Sequence, residues 1–336
     1  MKVYGVLLIG AGHIGMEHLL DIYHRDNVRI IGVVDSDEER ARYAARCAGC
    51  ELYATDHREL VGREDVDIVI IATYTSSHLA ILRDCLAAGK HVLCEKPIAT
   101  SLAEGEEFMR EVKAADTKVL IAHILRHNRT YNKIRELIRG GAIGEVRVIR
   151  MSQNHHAMRW PRYKRLMEDC SPTVDCGVHY YDISEWILGD RITDVTGVGT
   201  KTQDDSPRPN YTLVTFRTEG GVLGYYEVGW GETIRSSNLK EFIGTEGRIT
   251  LEMKDRRLGD NEEGDLLTLY HRDGNVYETV NLDSVYKDMY AQLMTLIDMI
   301  ENDTAGDPSM DEAWRAFRIA LAAEESIESG KTIKIV

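Results

Sequence analysis

The feature that most constrains this chain lies at its start, where an apolar stretch, Val3 to Ile9, runs directly into Gly10-Ala11-Gly12-His13-Ile14-Gly15. A G-x-G-x-x-G placed between a strand and a helix is a turn built for a dinucleotide. Gly10 permits the tight reversal, Gly12 lets the backbone approach a pyrophosphate, and Gly15 lets helix and strand pack closely. The helix N-terminus then turns its unpaired N–H groups toward the phosphates. Asp35, twenty residues past Gly15 at the end of a second apolar segment, Val28 to Val34, stands where an acid receives the adenine ribose hydroxyls. With no Arg or Lys at Ser36 or Asp37, a 2′-phosphate would meet a like charge, so the expected cofactor is NAD and not NADP.

The same alternation continues to about Ala122. Short strands are expected at Val3–Ile9, Val28–Val34, Asp67–Ala72, His91–Cys94 and Lys118–Ala122, with a weaker one near Glu51–Tyr53. Helices at His13–His24, Asp37–Ala48 and Ser76–Ala88 are long enough for parallel crossovers, which predicts a doubly wound Rossmann domain over residues 1–123. Beyond a helix at Asn128–Arg139 the pattern changes. A strand at Glu145–Gln153, a polar loop, a helix from Pro172 to Leu188 and strand-like alternation from Ile192 to about Val280 suggest a second, α+β domain over 124–336. Its sheet is expected to be large, mainly antiparallel and open on one face. Helices at Val285–Glu301 and Met310–Ser329 close the chain before a last short strand.

Composition narrows the ligand. With 336 residues two cores are expected, and a net charge of −14 repels nucleic acid and anionic membrane surfaces, leaving small molecules as the default partner. No apolar stretch approaches the roughly 20 residues of a membrane span. The first strand leads into glycines and not into a cleavage site, and the six cysteines lack framework spacing; both features point to a cytoplasmic protein. Cys47 and Cys50 have redox or metal spacing, but no second such pair follows, and Gly49 between them reads as a helix stop. His155 and His156 complete no ligand set, so no metal is expected.

Ligands of open parallel sheets bind beyond the carboxyl ends of the strands. Three further segments therefore share the cofactor's edge: Thr73 to His78, Glu95-Lys96-Pro97, and His123 to Arg126. The expected cofactor contacts are Gly10, Gly12, His13, Ile14, Gly15, Asp35, Thr73, Thr75, His78, Glu95 and Lys96. Lys96 follows a buried strand and is fixed by Pro97, unlike a lone solvated lysine. In the second half Ser171 and Pro172 mark a helix start, and Asp175 and His179 lie four residues apart on one helix face. An acid beside a histidine can act as a tuned general base, although the spacing also fits an ordinary pair on a solvated face. Gly177 between them suggests a close approach. Arg159, Arg162, Lys164 and Arg165 crowd the preceding loop, a pattern that fits an anionic substrate and equally a solvated loop or subunit salt bridges.

The order of Gly10 to Gly15, Glu95-Lys96-Pro97, Asp175-x-Gly177-x-His179-x-x-Asp182 and Phe242-Ile243-Gly244-Thr245-Glu246-Gly247 resembles the glucose-fructose oxidoreductase, inositol dehydrogenase and MocA (Gfo/Idh/MocA) family, nearly end to end. The resemblance implies an NAD-dependent oxidoreductase acting on a carbinol of a sugar, polyol or sugar derivative, with Lys96, Asp175 and His179 catalytic. Substrate contacts are then expected at Lys96, His123, Arg126, Arg159, Trp160, Asp175 and His179. The chain departs from the family at Tyr74-Thr75, His127-Asn128-Arg129 and Cys170-Ser171-Pro172-Thr173. Two alternatives among relatives are an NAD-dependent glycosidase with transient oxidation and a non-enzymatic NAD-binding regulator; the intact Lys96, Asp175 and His179 count against the regulator. A homodimer or homotetramer through the open face of the second sheet is expected, on the evidence of Tyr225, Tyr226 and Trp230.

Overall fold

The computed structural model describes residues 2–157, 159–252, 265–282 and 287–335. The chain forms two compact units, 1–124 with 288–314 and 125–287 with 315–336. Among the described residues no helix is long and apolar enough to cross a membrane.

The first unit is built on six parallel strands: β1 (Tyr4–Ile9), β2 (Val28–Val34), β3 (Leu52–Ala54), β4 (Ile68–Ile71), β5 (His91–Cys94) and β6 (Val119–Ile121). Their order is β3-β2-β1-β4-β5-β6, so the strand order reverses between β1 and β4. Every residue of β1 and of β4 is buried, as a strand covered on both faces requires. Helices α1 (His13–Ile22), α2 (Glu38–Cys47), α3 (His78–Ala87) and α4 (Leu102–Ala114) connect the strands. Asp37 caps α2 by accepting from the backbone N–H of Glu39 and Arg40, and Ser101 caps α4 through Glu104 N–H. At Gly49 a left-handed residue (φ +67°) ends α2, the helix stop expected between Cys47 and Cys50. Both thiols are free.

The second unit carries α5 (Arg129–Arg139), β7 (Val146–His156), α6 (Trp160–Asp169), α7 (Pro172–Asp175) and α8 (Gly177–Leu188). The strands β8 (Ile192–Thr200), β9 (Tyr211–Thr218), β10 (Leu223–Gly231), β11 (Ser237–Gly244), β12 (Gly247–Glu252), β13 (Asp265–His271) and β14 (Val276–Leu282) follow. After α9 (Met289–Asn302) and α10 (Met310–Ser329), β15 (Ile333–Lys334) adds the last strand of a nine-stranded sheet. Only the central β7–β10 pair is parallel; the other ladders are antiparallel. Strict alternation along β9 buries Thr212, Val214, Phe216 and Thr218 and exposes Leu213, Thr215 and Arg217.

Four expectations need correction. The boundary at 123/124 assigned everything beyond it to the second domain, yet residues 288–314 return to the first unit. The cause is α9, whose Leu293, Leu296, Ile297 and Met299 complete the core containing Val6, Leu8, Ile30 and Ile68. Tyr290 fastens α9 by donating its hydroxyl to Asn27 Oδ1 (2.9 Å) and its N–H to Asp21 (2.9 Å). The start expected for this helix, Val285, lies outside the described residues. The loop expected between β7 and the Pro172 helix contains α6, and the helix expected from Pro172 to Leu188 divides at Cys176 into α7 and α8. Finally, Tyr226 and Trp230 are buried and do not belong to an open face. Tyr226 stacks on Tyr180 of α8 (4.7 Å between centroids), and the open face carries Val198, Leu213 and Leu223 instead.

Candidate active site

The glycine turn has the geometry that its sequence demands. Gly10 adopts φ +96°, and a Cβ there would stand 2.4 Å from the Ala72 carbonyl oxygen. A Cβ on Gly15 would lie 1.8 Å from the Gly10 carbonyl oxygen, so only glycine lets α1 start this close to β1. Gly12 is different, because a Cβ there would meet nothing within 4 Å: its missing side chain leaves open space over the turn. It is also the N-cap of α1 and supplies no side-chain cap. Asp35 locks the turn, accepting from Ala11 N–H (2.8 Å) and Asp37 N–H (2.9 Å). These residues fit a dinucleotide: the bare helix N-terminus and the unfilled cradle would receive its pyrophosphate, and the Asp35 carboxylate at the end of β2 would receive its adenine ribose. Among the flanking positions His13 is exposed, Ile14 half-buried, and His13 pairs with Glu17 (3.2 Å).

The loops after β4 and β5 are tied together by two histidines. His78, expected to contact the cofactor, is fully buried and does not reach the surface. Its Nδ1 lies 3.0 Å from the Pro97 carbonyl and its Nε2 3.4 Å from that of Thr73, so the ring sits between the two loops and in its neutral form donates to one of these carbonyls. Burial lowers its pKa, which keeps the imidazole neutral. Thr73 is fixed from the other side by the Ser77 hydroxyl (2.7 Å), and Thr75 is buried. His18 of α1, which sequence reasoning missed, pairs with Glu95 at 2.8 Å with its side chain fully buried. Its signal was a polar residue on the inward face of α1, beside Leu19 and Ile22. Glu95 in turn accepts from Lys96 N–H (3.3 Å), and the Lys96–Pro97 peptide is cis. Lys96, half-buried, is therefore held on both sides by residues anchored in helices.

In the second unit Ser171 caps α7 by accepting from Val174 N–H (3.2 Å). Cys176 keeps right-handed helical angles (φ −87°, ψ −40°) at the break, so Asp175 and His179 retain the offset of neighbours on one helix face. Between Ser171 and Ser184 only Asp175 and His179 reach the surface; every other residue is buried. The close approach suggested by Gly177 is aromatic: its Cβ would stand 3.0 Å from the Tyr181 ring and 3.4 Å from that of Tyr226.

The remaining expected substrate contacts separate. His123 is buried in the first unit. Arg126, also buried, makes a two-point ion pair with Asp182 (2.9 and 2.7 Å) and braces α8. That pair accounts for the family-like aspartate three residues after His179. Trp160 is buried with its indole N–H donated to Asp205 (3.0 Å), whereas Arg159 is exposed. Of the basic cluster, Lys164 pairs with Asp205 (3.0 Å) and Arg165 with Glu168 (2.6 Å); among the described residues Arg159 and Arg162 form no ion pair. His155 and His156 end β7 and do not lie in a loop, with the His155 ring 6.3 Å from that of Tyr163.

A doubly wound sheet with this glycine turn and acidic strand end defines an NAD-dependent oxidoreductase, and the comparisons agree. Residues 4–123 match the model of an oxidoreductase family with an NAD-binding Rossmann fold, and residues 131–250 match the GFO/IDH/MocA C-terminal domain. Myo-inositol 2-dehydrogenase of Thermotoga maritima is 26% identical over 337 residues, covering 98% of this chain and 97% of the relative. Inositol 2-dehydrogenase 4 of Saccharopolyspora erythraea is 30% identical, with 68% of each chain covered. A levoglucosan dehydrogenase solved with NADH and levoglucosan shares the fold (TM-score 0.82, 20% identity, 99% of this chain and 100% of that one). The chain belongs to the Gfo/Idh/MocA family.

Proposed function

We propose that this chain moves a hydride between NAD and a carbinol carbon of a sugar, polyol or sugar derivative, with Lys96, Asp175 and His179 as its catalytic residues. The observation that carries the reading is the selective exposure of Asp175 and His179 on an otherwise buried segment. A solvated face would show more polar neighbours; two polar side chains held at the surface of a sealed helix have a rigid support and open access. The bound dinucleotide supplies the hydride acceptor. His179 takes the hydroxyl proton as general base. Lys96, fixed between Glu95 and Pro97, donates to the same oxygen and stabilises its developing charge, so no metal is needed. Asp175 orients a neighbouring substrate hydroxyl or the His179 ring. Relatives named for inositol and levoglucosan support a ring-shaped, hydroxyl-rich substrate.

Incubating the chain with NAD and a panel of polyols, aldoses, amino sugars and uronic acids, followed at the NADH absorbance, tests the reading. Net NADH with at least one neutral polyol or sugar is expected. Substrate turnover with no NADH would replace the dehydrogenase by a glycosidase that returns its hydride. Arg159 and Arg162 leave room for an anionic substrate, which would then outcompete the neutral members. Assembly as a homodimer or homotetramer through the open sheet face is proposed on the exposed Val198, Leu213 and Leu223, and a monomeric mass by light scattering would contradict it.

A further inference from the structure

Lys240 of β11 is fully buried, and among the described residues it forms no ion pair. Burying an ammonium without a carboxylate is costly, so its surroundings must supply what water no longer does. Its Nζ donates to the Ser152 carbonyl (2.8 Å) and to Asn238 Oδ1, and it lies 4.3 Å from the centroid of the Tyr180 ring. Two carbonyl oxygens and one aromatic face match the three N–H bonds of an ammonium. A neutral amine has only two N–H bonds and would turn its lone pair toward one of these electron-rich groups. Burial pushes the amine well below the usual lysine range, while the three acceptors favour keeping the proton. The other titratable groups facing it are the Cys176 thiol and the Tyr180 phenol; its ladder neighbours Met151 and Leu251 carry no charge.

Two of the groups facing Lys240, the Tyr180 ring and the Cys176 thiol, belong to the helical segment carrying the proposed base. Tyr180 follows His179 directly and its ring meets both Lys240 and Tyr226, while Cys176 follows Asp175. The tight fit of Gly177 against the Tyr181 and Tyr226 rings leaves the start of α8 little slack over the sheet. We propose that Lys240 is a positioning residue for the proton-transfer helix: through the Tyr180 ring it seats α8, and it places a positive charge on the buried side of Asp175 and His179. The proposal rests on the reading of His179 as the base. A positive charge behind an imidazole disfavours imidazolium, so it keeps His179 ready to accept a proton at neutral pH.

The test is Lys240→Met in the full-length protein with NAD and whichever polyol or sugar the panel identifies. Methionine fills a similar volume without a charge, so the melting temperature should stay at or above that of the wild type. The rate should nevertheless fall by about tenfold in kcat with NAD affinity unchanged, the size of effect expected from a displaced catalytic group. The acid limb of kcat/KM should move up by about half a unit, as loss of one nearby charge implies. Tyr180→Leu, which removes the aromatic face and keeps the lysine, should lower kcat similarly and shift the limb less. Wild-type kcat and pH limb in a stably folded Lys240→Met would overturn the proposal, as would losses in both variants that only track a lower melting temperature. If His179→Ala itself retains normal turnover, the base assignment fails first; if His179→Ala is impaired and Lys240→Met is not, only the role of Lys240 fails.

Discussion

The two units solve the problem of placing a polar group in different ways. In the first, the site is made by backbone: Gly10 and Gly15 bring main chain against main chain, Gly12 leaves open space over the turn, and every residue of the two central strands β1 and β4 is buried. The polar support beneath Lys96 is a single buried pair, Glu95 with His18. In the second, the site is carried by side chains braced from below by buried polar groups, Arg126 with Asp182, Lys240 with Tyr180, and Thr173 with Thr212 (2.5 Å). A cofactor shared with many proteins calls for a standard cradle that local sequence can encode. The helix proposed to meet the substrate has a footing that depends on contacts far apart in the chain.

Breaking one of those long contacts should have the largest effect on stability. Arg126→Met leaves the Asp182 carboxylate buried without its partner, and urea unfolding should lose roughly 3–5 kcal/mol. A loss below about 1 kcal/mol would mean that the second unit does not depend on its sealed charges. Cofactor choice tests the first unit next. Asp35 should make NAD bind roughly a hundredfold tighter than NADP, and Asp35→Ser should erase most of that difference; equal dissociation constants in the wild type would refute the reading of the strand end.

A smaller effect concerns pH. The folded state holds the buried His78 pKa below its ordinary value near 6.5, so the unfolded chain binds the proton more readily. The stability contributed by neutral His78 is therefore present above about pH 6.5 and is lost as pH falls below it. Wild-type melting temperature should drop by a few degrees between pH 7 and 5.5, and His78→Gln should drop less; parallel curves would remove His78 as the link between the two loops.

What the sequence revealed follows the same division. The succession of strands and helices and the glycine turn between β1 and α1 were legible because each depends on residues close in the chain. The return of α9 to the first unit was not, since its apolar face would fit either core and only Tyr290, Asn27 and Asp21 decide. Arg126 and Trp160 looked like substrate contacts because a basic or aromatic residue beside a catalytic segment carries no mark of its distant partner, Asp182 or Asp205. Tyr226 and Trp230 were placed on the wrong face for a related reason: an aromatic strand does not announce which side a helix covers. Asp175 and His179 were identified as a pair, while their isolation on a buried segment emerged only from the packing.

The central claim of the proposed function is that Lys96 and His179 serve one step of the reaction, and a double-mutant cycle in turnover tests it most directly. His179→Ala should lower kcat by roughly a hundred to ten thousandfold, and Lys96→Ala by a comparable factor, with NAD affinity nearly unchanged in His179→Ala. Because the two residues serve one event, the double mutant should lose far less than the product of the single losses. Multiplicative losses, or near-normal turnover in either single mutant, would show that these residues do not form one catalytic unit.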